Sequence, residues 1–158
     1  MVFLNKFNQI MHGITSVLLA IMTILVIVQV FTRFFPDITL PFTEELARFT
    51  MIWAVMIGAT VLIKKQTHIA VTFIFKKFPP KMKKVVNIFN HLLVLTFCLV
   101  IFVIGYRLII SGMAQVAPAT QINMGLVILC IPIFGVIGVI YTIEHIFKEI
   151  QTKDEAKG

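Results

Sequence analysis

The chain is 158 residues long and 59% hydrophobic, with a mean hydropathy of +0.99, which excludes an ordinary soluble domain of this size. Its net charge of +7 would suit nucleic acid in a soluble protein, but most lysines lie between two apolar stretches, where they report membrane orientation instead. Four such stretches leave too little chain outside a bilayer to build an enzyme, and no HExxH, GxSxG or phosphate-loop pattern occurs.

The expected fold is all-α, a single four-helix transmembrane domain over residues 1–158. Spans are expected from Ile14 to Phe35, Leu46 to Ile63, Val85 to Ile110 and Met124 to Ile143. Each approaches the roughly 20 residues that cross about 30 Å of hydrocarbon. The first helix begins before the membrane. Phe3, Leu4, Phe7, Ile10 and Met11 recur at helical spacing opposite Asn5, Lys6, Asn8 and Gln9, so residues 1–13 form an amphipathic extension. With no convincing cleavage site behind it, the first span is expected to be retained rather than removed as a signal peptide. Gln29 is the strong hydrogen-bonding side chain deep in that span, and an amide in hydrocarbon is costly unless paired, so an interhelical polar contact is expected.

Pro36 to Thr43 reads as a short, constrained turn, with Thr43 placed to cap the second helix. Glu44 and Glu45 then fall in its first turn, where the helix dipole favours each by about 0.3–1 kcal/mol. Arg48 lies four residues from Glu44 on the same face. This cluster is either a capped helix end at the headgroups or a polar contact surface for another protein. Further in, Ala54 and Gly58 allow close backbone approach, and Trp53 sits deeper than an aromatic belt. It packs in the core, against lipid or across a subunit boundary.

Residues 64–84 form a basic link. Ile69 to Phe75 is apolar but too short to cross, and is expected on the membrane surface, with lysines such as Lys81 facing headgroups. Cys98 and Cys130 fall inside spans as small buried hydrophobes, without a disulfide. Pro132 should kink the fourth span near Leu129 to Pro132. Beyond it, Glu144 with Lys148 and Glu149 with Lys153 are spaced as i,i+4 pairs marking a water-exposed face, and 152–158 is a polar tail.

Seven of the eleven lysines occupy the link between the second and third spans, others flank the termini, and Arg33, Arg48 and Arg107 sit at the opposite helix ends. Both termini and the link are therefore expected in the cytoplasm, with membrane lipids as partners and no nucleic acid. The centre of every span lacks charge, which argues against a self-sufficient four-helix transporter. His12, His68, His91 and His145 all fall in the cytoplasmic half and keep open a haem-binding membrane anchor of an electron-transfer complex. Catalytic and metal-ligating residues are not expected.

The run Glu44-Glu45-Leu46-Ala47-Arg48, followed by Trp53, Gly58-Ala59 and His68-Ile69-Ala70-Val71, resembles the small membrane subunit of the tripartite ATP-independent periplasmic (TRAP) transporters, the DctQ-like family. The resemblance implies a multi-pass protein of the bacterial inner membrane with no cofactor of its own. It implies two protein partners: a large transmembrane subunit that carries the sodium sites and moves substrate, and a periplasmic substrate-binding protein that delivers an organic acid. The small subunit would stabilise the large one and help dock the binding protein. Glu44, Glu45, Arg48, Trp53 and Gly58 would then lie at a subunit or binding-protein interface, and His68 at the cytoplasmic interface. Thr72 stands where the family commonly has aspartate, which weakens an acidic role there without weakening the resemblance.

Overall fold

A computed structural model describes residues 2–34, 40–65 and 80–151, with side chains described over 4–34, 40–65 and 86–147. Among the described residues are four helical segments long and apolar enough to cross a membrane. Helix α1 (Val2–Thr32) runs without a break from the polar extension into the span. In hydrocarbon every backbone group must be satisfied within the chain, which a continuous helix does. The hydroxyls follow the same rule. Thr15, Ser16 and Thr23 donate to carbonyls four residues back, at 2.9, 3.0 and 2.8 Å.

Helix α2 (Pro41–Lys65) begins at Pro41, ahead of the expected start at Glu44. Proline needs no N–H partner in the first turn, and its fixed φ is already helical. Thr43 is consequently not the cap. It lies inside the first turn, buried, and its hydroxyl donates to the Leu40 carbonyl at 2.7 Å. Glu44 remains in that first turn, while Glu45 falls just beyond it. Helix α3 (Pro80–Gly112) likewise starts at a proline, so Lys81 belongs to its first turn. The Ile69 to Phe75 segment lies outside the described residues.

The last span is broken where proline requires it. Helix α4 (Met124–Ile128) stops at Leu129, and α5 (Cys130–Gln151) carries Pro132 in its first turn. Pro132 cannot donate to the Ile128 carbonyl, and the adjoining bond from Ile133 N–H to the Leu129 carbonyl is stretched to 3.4 Å. Asn123 caps α4, its side chain accepting from the Gly125 N–H at 2.8 Å.

The helices pack in the order α1, α2, α5, α3, with α4 against α3. Within the apolar windows 44% of the last span is buried and none of α1, so α5 is central and α1 an outer flank. Two glycines set how closely α3 and α5 approach. A Cβ at Gly135 would lie 2.8 Å from the Phe102 Cβ and 2.9 Å from its Cα, and one at Gly138 would lie 2.5 Å from the Cys98 Sγ. Those are distances only a hydrogen tolerates. Cys98 and Cys130 are buried, free thiols, as expected.

Candidate partner-binding site

At the end opposite the lysines, the acidic cluster divides into two functions. The Glu45 carboxylate reaches across to the connection between α3 and α4. One oxygen accepts from the Ala119 N–H at 3.1 Å, the other from the Thr120 N–H and hydroxyl, both at 2.8 Å. That connection is itself tied together. The Ala117 N–H donates to the Ile122 carbonyl at 2.9 Å, Met124 N–H to the Gln115 carbonyl at 2.9 Å, and the Asn123 amide to the Met113 carbonyl at 2.9 Å. Gln121 turns the chain in the left-handed region, with φ 56°. Such a loop presents a fixed shape to whatever meets it.

Glu44 and Arg48 do something different. Their ion pair is 3.0 Å long, and the two side chains are 56% and 64% exposed. In this geometry the pair supplies only about 0.2–1 kcal/mol to the helix, leaving both groups accessible to a partner.

Trp53, Gly58 and Gln29 do not join this cluster. Trp53 is half-buried and lines a cleft of about 360 Å3 between α1, α2 and α5, together with Leu18, Met56 and Phe134. Gly58 faces α1, where an added Cβ would meet the Thr15 methyl at 3.3 Å, so its small size serves the contact between α1 and α2. Gln29 is half-buried on α1, and its side chain makes no hydrogen bond among the described residues. His68 lies outside the described residues, as does the side chain of Lys81.

At the lysine-rich end the structure assembles a group that composition alone did not suggest. Lys64 at the end of α2 is ion-paired with Glu144 of α5, with side chains only 7% and 9% exposed. The Lys64 ammonium also lies 5.2 Å from the centre of the Tyr141 ring. His145 donates its Nε2–H to the Ile63 carbonyl at 3.1 Å, satisfying one of the carbonyls left open at the end of α2. Its ring stacks on His91 of α3 with centres 5.8 Å apart and planes within 10°. The expectation that Glu144 marks a water-exposed face is thus overturned. Its side chain is nearly covered and ion-paired with Lys64, because the rotation of α5 that seats Tyr141 in the core carries Glu144 and His145 inward with it; the side chain of Lys148 lies outside the described residues. The signal was present: Tyr141, Glu144 and His145 are spaced i, i+3, i+4, one helix face. Stacked imidazole faces, with one nitrogen committed to a backbone carbonyl, do not offer two nitrogens to one haem iron.

The family described as "Tripartite ATP-independent periplasmic transporters, DctQ component" matches residues 22–152. The chain belongs to this family. It is a TRAP transporter small permease subunit, a multi-pass protein of the bacterial inner membrane. A Haemophilus influenzae protein named as a TRAP transporter small permease is 26% identical over 135 residues, 85% of this chain and 82% of that protein. The sialic acid TRAP transporter permease protein SiaT of the same species is 32% identical over 103 residues, 65% of this chain but 16% of SiaT. The sialic acid TRAP transporter small permease protein SiaQ of Vibrio cholerae is 29% identical over 100 residues, 63% of this chain and 58% of SiaQ.

Proposed function

We propose that this subunit moves no substrate itself and acts as the stationary companion of a large transport subunit in sodium-coupled import of an organic acid. One observation carries the reading: in SiaT, the region similar to this chain is a 16% share of a far longer permease polypeptide. A segment that works while covalently part of a permease works in contact with it. The architecture supports the same conclusion. α2 and α5 are pinned together at one end by a buried ion pair, α3 and α5 by close glycine contacts, and the outer loop by Glu45. A bundle held in this way resists deformation, which suits the part of a transporter that stays fixed while another part moves.

On this reading the termini face the cytoplasm, and the loop held by Glu45 lies in the periplasm beside the exposed Glu44 and Arg48. A substrate-binding protein arriving there meets a rigid loop and a charged pair already partly satisfied, which favours specificity over adhesion. Because two of the relatives are named for sialic acid, it is the first substrate to try. The test is reconstitution into sodium-free vesicles diluted into medium with or without sodium. The subunit alone gives no uptake, and adding the large subunit and binding protein gives sodium-dependent uptake. Uptake by the isolated chain would overturn the proposal.

A further inference from the structure

We infer that the groove between α1 and α2 is a binding site for one anionic phospholipid, from the leaflet at the lysine-rich end of the bundle. The groove encloses about 510 Å3, within the range of ligand-sized pockets. Leu19, Ala54, Val55, Ala59 and Leu62 wall it, and His12, Ser16 and Lys65 surround its mouth. Small side chains on α2 create the space, and Val55 and Leu62, 54% and 59% exposed, leave it open sideways to the hydrocarbon.

Its depth points to a lipid rather than a helix. From Lys65 to Ala54 the groove descends roughly 16 Å at about 1.5 Å per residue. That is about half of a 30 Å hydrocarbon layer, one leaflet. A transmembrane helix of a partner would need a trough along the whole span, whereas an acyl chain ends where this groove ends. The mouth then selects the headgroup. Lys64 is committed to Glu144, but Lys65, one residue further, is exposed and has no ion-pair partner among the described residues. A cation at headgroup level above an apolar slot complements a phosphodiester bearing net negative charge. The Ser16 hydroxyl already donates to the His12 carbonyl at 3.0 Å, so it can accept from the glycerol hydroxyls of a phosphatidylglycerol headgroup.

The proposal stands apart from the transport role, and its test uses the full chain purified in mild detergent with whatever accompanies it. The protein is equilibrated with equal phosphatidylglycerol and phosphatidylcholine of matched chains, and retained lipid is read by native mass spectrometry. Wild type is expected to keep one phosphatidylglycerol in preference to phosphatidylcholine. Lys65→Gln should reduce that preference roughly fivefold, as removal of one lysine near an anionic headgroup implies. Lys6→Gln, an exposed lysine at the same end outside the groove, should leave it unchanged. Ala59→Phe, which fills the slot, should lose both lipids while the chain still purifies folded. An unchanged preference in Lys65→Gln, an equal fall in Lys6→Gln, or full retention in Ala59→Phe would overturn the assignment. So would a photoreactive residue at Leu62 that cross-links to protein instead of lipid.

Discussion

The buried pair between Lys64 and Glu144 makes a prediction whose size separates it from every surface contact in the molecule. Both side chains are more than nine-tenths covered, and they join helices far apart in sequence. Removing one partner leaves the other charge in a low-dielectric site, which costs about 3–5 kcal/mol, against about 0.2–1 kcal/mol for an exposed pair such as Glu44 and Arg48. Lys64→Met and Glu144→Leu should each therefore lower stability by about 3–5 kcal/mol. The double variant removes both charges and fills the space with apolar groups, so it should recover most of the loss, and the cycle should report a coupling of more than about 2 kcal/mol. Lys64→Met also forfeits the cation above Tyr141, worth about 0.5–2 kcal/mol, so it should be the worse of the two unless methionine packs on the ring. The assay is reversible unfolding in mixed detergent micelles, followed by far-ultraviolet circular dichroism. Single variants within about 1 kcal/mol of wild type, or strictly additive losses in the double, would refute a buried, coupled pair.

Gly138→Ala forces a Cβ toward the Cys98 sulfur and should destabilise the bundle by about 1–3 kcal/mol, whereas Gly13→Ala, with nothing within 4 Å, should gain up to about 1 kcal/mol in the same assay. Glu45→Ala should raise hydrogen exchange at the Ala119 and Thr120 amides while leaving the helices protected; unchanged exchange there would deny the carboxylate its hold on the loop. If Arg48 meets a partner acid, Arg48→Ala should lower copurification of the large subunit or binding protein with insertion intact, while Lys81→Ala does much less; equal, near-wild-type assembly in both would reduce the pair to a helix start. Gln115→Cys, exposed on the loop between α3 and α4 while the two native thiols are buried, should react with an impermeant thiol reagent added outside cells, and protection there would invert the topology.

By itself the sequence determined the helical nature of the four apolar spans, because long apolar stretches in lipid have only the helix available to satisfy their backbones. It also placed the break in the last span, since Pro132 removes a donor wherever it sits, and it placed Arg48 within reach of Glu44 by spacing alone. Only the tertiary structure decided the order α1, α2, α5, α3 and which face of each helix turns inward. In water a polar face and an apolar face announce that choice. In a membrane the lipid-facing and protein-facing residues are equally apolar, as the exposed Leu92, Phe97 and Val103 of α3 illustrate, so periodicity carries little of it. Local spacing consequently favoured Lys148 for Glu144 and a helix-end role for Glu45. The fold adds Lys64 to the first, the side chain of Lys148 lying outside the described residues, and adds the Thr120 loop to the second; those partners lie about 75 to 80 residues away, and only the packing of α2 between its neighbours brings them together.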